Sequence, residues 1–450
     1  MMLTGNHLER MMAATAVTVV GGGLAGSEAA WQIARRGVPV KLYEMRPVRK
    51  TAVHRTDRLA ELVCSNSMKS VELGSAHGLL KEEMGRLESL IIRCALENRV
   101  PAGAALAVDR ELFAKAVTDA IEEHPRITVV REEIHAIPDD EIVILAAGPL
   151  VTEGLAGSIA DFTGKDHLYF YDAIAPEIET SSIDRSIVFA ASRYGKGGGD
   201  DYLNCPMNEQ EYESFIDGLL AAEVAELHEF DKTPFFEGCL PIEEMARRGR
   251  ETPRFGPMKP VGLTDPRIGK GAHAIVQLRQ DSLAGEHFSM VGFQTRLRHG
   301  EQKRIFRTIP GLERAEFVRL GQVHRNCYIN APAILGEDLQ ASKRPGLFFA
   351  GQISGVEGYT ESAASGLLAG INAARIATGS GALTPPVETM LGALCRYISN
   401  APEEDYQPQN AAFGLLPPPP PGIRKKKERK QARSKRALEK MDEWIAEEMP

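Results

Sequence analysis

VTVVGGGLAG, residues 17–26, runs on through SEAAWQIARRG into a second apolar stretch, VPVKLYE, that closes at Glu44. The order is strand, glycine turn, helix, strand, acid. Gly21, Gly23 and Gly26 fall on the G-x-G-x-x-G spacing, and each position carries its own demand. Gly21 permits the tight turn, Gly23 lets backbone amides approach a pyrophosphate, and Gly26 lets the helix pack on the strand. Gly22, Leu24 and Ala25 complete the loop. The helix then points unpaired N–H groups and the positive end of its dipole at the phosphates. Glu44 lies about 18 residues beyond Gly26, where a carboxylate accepts from ribose hydroxyls. The unit reads as a dinucleotide site, with a plain βαβ turn as the bland alternative.

The rest of the chain bounds this reading. At 450 residues it exceeds the length at which a single core usually stops growing, so two structural units are expected. Hydrophobic content of 43% and charge of 25% place it among ordinary globular proteins rather than disordered ones. No apolar run approaches the ~20 residues that cross a bilayer. The opening MMLTGNHLERMMAA lacks the charged-then-apolar layout of a signal peptide. A cytoplasmic location with no membrane partner is therefore expected. Cys64, Cys94, Cys205, Cys239, Cys327 and Cys395 form no C-x-x-C pair, which argues against a metal site and against a disulfide framework. Net charge is −8, yet two stretches are basic: QTRLRHGEQKRIFR (294–307), and RKKKERKQARSKR (424–436) after a proline run. Each reads either as a solvated surface or as a surface for phosphates.

Organisation is expected as a leader (1–14), the first part of a dinucleotide-binding domain (15–171), an inserted substrate domain (172–320), the returning second part (321–400), and a Pro-rich, basic C-terminal segment (401–450). The insert carries short strands, Pro and Gly breaks, and one helix near NEQEYESFIDGLLAAEVAEL. At 346–352 the chain returns to a strand, GLFFAGQ, then the loop ISGVEGYTES and a small-residue helix, AASGLLAGINAARI. A lone N-terminal fingerprint suits NAD or FAD equally. The distant second βα unit, with Gly351, Gln352, Gly355 and Tyr359, favours FAD, whose ribityl and isoalloxazine need wrapping from elsewhere in the chain. No second strand-G-x-G-x-x-G-helix unit exists, since GKGGGDDY (195–202) has neither flank. A nicotinamide donor would then bind transiently. An S-adenosylmethionine site fits poorly: it wants an acid ending the first strand, where Val19 and Val20 stand.

Six blocks in order, GGGLAGSEAAWQIARRG, ELVCSNSMKS, FFEGCLPIEEMARRG, RFGPMKPVGL, HRNCYINAP and GQISGVEGYTESAASGL, resemble the folate- and FAD-dependent tRNA uracil-5-methyltransferases. The match runs from about residue 15 to the FGLLPP segment (413–418). The resemblance implies an α/β fold: a glutathione-reductase-like FAD-binding Rossmann domain with an inserted α+β domain. It implies conversion of a T-loop uridine of tRNA to ribothymidine, with carbon from 5,10-methylenetetrahydrofolate and hydride from FAD reduced by NADPH or NADH. Cys239 is thereby assigned as nucleophile and Cys64 as the thiol beside the flavin, with the reverse assignment open. His324 and Asn326 are expected at the folate, Arg296 at the folate glutamate or an RNA phosphate, and Tyr359 at the flavin edge. Gln352 follows Gly351 where many glutathione-reductase-like flavoproteins carry an acid, which agrees with the tRNA-modifying branch. Cys327 stands where that family's block is expected to have Thr. The competing readings are the sister class of wobble-uridine-modifying flavoproteins, with longer chains and an extra C-terminal helical domain, a non-catalytic FAD- and RNA-binding module, and a general NAD(P)H-flavin oxidoreductase.

Overall fold

Val17–Val20 lies inside a six-stranded sheet of order Gln340–Ala341, Arg344–Phe349, Val143–Leu145, Val17–Val20, Val40–Tyr43, Ile127–Val130. Every neighbouring pair is parallel except the first. A parallel sheet is covered on both faces, so its central strands read as unbroken apolar runs. Val143, Ile144 and Leu145, like Leu347, Phe348 and Phe349, are fully buried. The computed structural model describes residues 15–449 apart from 52, 166–167, 227–234, 267–268 and 270, so the expected leader at 1–14 lies outside the described residues.

The helix Leu24–Arg35 crosses the helix Tyr359–Ala377 at very close range. A Cβ on Gly366 would lie 2.1 Å from the Ala25 carbonyl oxygen, and one on Gly370 would lie 2.6 Å from that of Ala29. The small residues of AASGLLAGINAARI thus serve helix-to-helix contact. The stretch GLLKEEMGRLESLIIRCALEN (78–98), whose composition reads as one helical stretch, falls in two helices, Ala76–Arg86 and Leu90–Glu97. The break has a tertiary cause. Buried Glu28 accepts from the Ser89 hydroxyl at 2.6 Å and from the Ile91 N–H at 2.9 Å, so it holds the second helix's first turn from outside. The apolar run IVILAAGPL (142–150), which reads as one buried strand, pairs only over Val143–Leu145, and the residues that follow form a loop.

A second six-stranded sheet is antiparallel throughout, in the order Phe189–Ala190, Tyr202–Met207, Ala274–Gln280, His287–Met290, Glu177–Glu179, Phe317–Arg319. Four helices, Glu209–Ala221, Ile242–Arg248, Thr252–Phe255 and His299–Phe306, accompany it, where the sequence pattern announced one. Its core is aromatic, with Tyr212, Phe215, Phe293 and Phe306 buried. This is the α+β unit, and the parallel sheet with its helices is the Rossmann unit. A two-stranded antiparallel ribbon of Leu168–Ala173 and Val323–Tyr328 carries the chain between them. No described helix is long and apolar enough to cross a membrane.

Candidate active site

The first glycine turn does what its spacing requires. Gly21 has φ +105°, and a Cβ there would come within 2.3 Å of the Ala146 carbonyl oxygen. A Cβ on Gly26 would strike the Gly21 carbonyl, where the helix passes over the strand end. Gly23, by contrast, faces open space. It caps Leu24–Arg35 with no side-chain acceptor, and the first turn carries no acid, so the helix's leading amides remain available to a phosphate. Glu44 is buried. Its Oε2 accepts from Gly22 N–H at 3.0 Å, and its Oε1 accepts from the Arg46 backbone at 3.0 Å and from Arg46 Nε at 2.8 Å. Burial alone would raise its pKa, but the Arg46 hydrogen bonds and charge outweigh that and hold it below the usual value. A carboxylate has about four acceptor positions, so capacity remains for a ribose.

Both glycine turns open onto one cleft. Gly21, Gly22, Gly23, Leu24, Ala25 and Glu44 line one end, and Gly351, Gln352 and Tyr359 line another part. A long dinucleotide such as FAD fits this arrangement. Gly26 and Gly355 do not line it: Gly26 acts in packing, and Gly355 (φ +87°) lets the Tyr406 hydroxyl approach its backbone.

Tyr359 carries the cleft to the thiols. Its hydroxyl oxygen accepts from the Cys64 N–H at 2.8 Å and the Ser65 N–H at 3.1 Å. Cys239, in the short turn Glu237–Cys239, is hydrogen-bonded to the Cys64 thiol and to the Asp172 carboxyl. Both cysteines are free thiols. The Cys64 contact, burial of the sulfur, and the Asp172 and Glu357 carboxylates push the Cys239 thiol well above its ordinary pKa. Burial likewise raises Asp172, against the hydrogen bond from Cys239. Both shifts disfavour the charged forms, so at rest the proton stays on the Cys239 sulfur, and a thiolate forms only when a base accepts that proton.

Three residues of this centre were not among those singled out from sequence: Asp172, Lys69 and Glu357. Lys69 and Glu357 do stand inside the blocks LVCSNSMKS and GVEGYTES, whereas Asp172 has no such marker. Lys69 adopts φ +63°, an uncommon conformation for a residue with a side chain. Its Nζ lies 3.7 Å from Glu357 Oε2. Burial pushes Glu357 up to about 8. Neighbouring Glu361 behaves oppositely. Burial would raise it, but the His77 hydrogen bond at 3.0 Å, the Lys69 charge and the Ala411 N–H bring it down to about 2.

In the ribbon, His324 stands opposite Asp172 and Asn326 opposite Phe170, so both share the Asp172 face, beside Cys239. His324 Nε2 is buried without a hydrogen-bond partner. Burial and Arg319 lower its pKa to about 4, so it is a neutral ring with a free polar atom. Cys327 alternates to the other face, where its Sγ donates to the Pro149 carbonyl at 3.3 Å in the wall of the cleft. Arg296 is bound within the protein, its Nε donating to Glu244 at 2.9 Å, with its guanidinium 5.8 Å from the Phe235 ring centroid. It therefore adjoins the Cys239 block as a paired cation, not as a free one.

A family model described as glucose inhibited division protein A (GIDA) matches residues 16–381. The methylenetetrahydrofolate--tRNA-(uracil-5-)-methyltransferase TrmFO of Desulforudis audaxviator is 57% identical, spanning 96% of this chain and 98% of its own. The enzyme of that name from Geobacter sulfurreducens is 56% identical over 96% and 99% of the two chains. A solved structure of Aquifex aeolicus GidA superposes with a TM-score of 0.69 at 17% identity, covering 95% of this chain and 76% of that one, which shows a common fold. With near-complete coverage on both sides and a fingerprint, cleft and paired thiols in register with the motifs, the chain belongs to the TrmFO family of methylenetetrahydrofolate--tRNA-(uracil-5-)-methyltransferases.

Proposed function

We propose that this protein methylates C5 of a T-loop uridine in tRNA to give ribothymidine, taking the carbon from 5,10-methylenetetrahydrofolate. The observation that carries the reading is the contact between Cys64 and Cys239, two thiols from distant parts of the chain, next to a tyrosine that lines the dinucleotide cleft.

Uracil C5 is too weak a nucleophile to attack a methylene group unaided. Thiolate addition at C6 makes it an enolate, and the S–C6 bond breaks again when the product leaves. Cys239 is the assigned nucleophile, and Asp172 takes its proton. Once the C5–CH2 bond has formed, Cys64, which touches Cys239, acts as a thiolate to take the C5 proton, and the CH2–N bond breaks to release tetrahydrofolate and leave an exocyclic methylene on the base. Lys69 sets a positive charge facing the thiolate and the developing enolate. His324 and Asn326 present a neutral ring and an amide to the folate. Gly21, Gly22, Gly23, Glu44, Gly351 and Gln352 hold FAD, which when reduced supplies the hydride that completes the methyl group. NADPH or NADH is the assigned reductant, bound transiently.

The test is transfer of labelled carbon from methylenetetrahydrofolate into an unmodified tRNA transcript by the yellow, FAD-containing protein, with the product located by mass spectrometry. Label in the T-loop is expected. Label at the wobble uridine would assign the sister class, and flavin and tRNA binding without transfer would mean a non-catalytic module.

A further inference from the structure

The two basic stretches have opposite fates in the fold. Within 294–307 the arginines are bound internally. Arg296, Arg298 and Arg304 pair with Glu244, Glu223 and Glu301, and Arg307 donates to the Ala315 carbonyl at 2.9 Å. The C-terminal stretch opens the helix Lys426–Glu448, which buries Ser434, Ala437, Met441 and Trp444 and leaves its opposite side outward. Ser434 donates to the Leu73 carbonyl at 2.7 Å and Asp442 pairs with Arg86, so the helix is docked on the fold.

Docking orients a stripe of unneutralised charge. Arg424, Lys426, Lys427 and Arg429 are exposed. With Lys430 and Arg433 they make no ion pair among the described residues, whereas Lys425 and Lys435 engage Glu428 and Glu439, and Arg436 donates to the Pro417 and Pro418 carbonyls. Arg429, Arg433 and Arg436 recur at helical spacing on one side, where like charges repel. Burial and these two neighbours lower the Arg433 pKa. The Nε atoms of Arg433 and Arg436 are buried with no hydrogen-bond partner. A series of contacts leads from the helix toward the thiol centre. Lys430 sits 5.6 Å from the Phe413 ring centroid, and the nearby Ala411 N–H donates at 2.9 Å to Glu361, whose charge acts on Lys69.

We propose that the exposed basic start of this helix, through Lys426, Lys427 and Arg429, grips the phosphate backbone of tRNA beside the arm whose uridine enters the thiol centre. The inference rests on the proposed tRNA methylation. The basic half of the helix extends about 15 Å, enough to follow several successive phosphates. Its partner is a polyanion because, among the described residues, no carboxylate pairs with Lys426, Lys427 or Arg429.

The test is Lys426→Ala/Lys427→Ala/Arg429→Ala in the full, FAD-loaded chain, with binding of unmodified tRNA transcript measured across a NaCl series. These side chains are exposed and leave the docked face intact, so FAD content and melting temperature should match wild type. The Kd should rise about tenfold or more, and the slope of log K against log salt should become shallower by about 2 to 3. Arg298→Ala/Arg304→Ala, which removes internally paired cations, should keep wild-type affinity. Wild-type affinity and slope in the triple variant, or an equal loss in the control, would overturn the assignment to this helix. Failure of the wild-type protein to bind tRNA would instead remove the functional reading beneath it.

Discussion

The Tyr359 hydroxyl accepts two backbone N–H groups, from Cys64 and Ser65, so the second glycine element holds the loop that carries the first thiol. Tyr359→Phe leaves both amides without that acceptor, at a cost of about 1–3 kcal/mol. We expect FAD to stay bound and methyl transfer to slow by about tenfold or more, because the Cys64 sulfur is no longer held. An unchanged single-turnover rate would show that the tether does not position the thiol.

Cys239→Ala should abolish the covalent complex with tRNA carrying 5-fluorouridine, read as a shifted band on a denaturing gel. Cys64→Ala should still form the complex yet fail to turn over. The reverse pattern would exchange the two roles, which the mutual hydrogen bond permits.

Gly366→Val should separate the two crossing helices. With a Cβ only 2.1 Å from the Ala25 carbonyl, the helix that presents the phosphate-binding turn must shift. Overpacking of this kind costs about 1–3 kcal/mol. The readouts are a lowered melting temperature together with a lowered flavin-to-protein absorbance ratio. Loss of stability with full flavin retention would detach this contact from the cofactor.

Glu357 gives a pH signature. Its pKa is raised from 4.5 to about 8 in the folded state, so the folded protein binds more protons than the unfolded chain across that interval. Its contribution is complete below about pH 4.5 and is lost as pH rises through about 8. Glu357→Gln cannot ionise. Its unfolding free energy relative to wild type should therefore climb between pH 5 and 8, by at most about 1.4 kcal/mol per pH unit. A difference that stays flat in denaturant titrations would show that Glu357 is ionised against Lys69 at neutral pH.

Sequence reasoning reached furthest where the signal is local. The glycines at 21, 23 and 26 answer to contacts within a single turn and its own helix, so their spacing alone defines the unit, and the fully buried runs at 143–145 and 347–349 announce a parallel sheet. It reached less far where a distant residue intervenes. Within 78–98 the Ser89 cap, which accepts from Ile92 N–H, is a local mark of the break, but the hold that Glu28 exerts from a separate helix has no mark in that stretch.

The amino-acid order by itself determined the dinucleotide fold and, through its resemblance, marked Cys64 and Cys239. It did not determine that Asp172, Lys69 and Glu357 gather around those sulfurs, nor that the arginines of one basic stretch are bound internally while the other presents exposed cations without an ion pair among the described residues. Periodicity encodes which face of an element is apolar, a property of neighbours along the chain. Which charges meet is decided only when the ribbon 168–173, the loop 62–70 and the turn 237–239 pack together, because a charge is answered by whatever lies within a few ångströms in space.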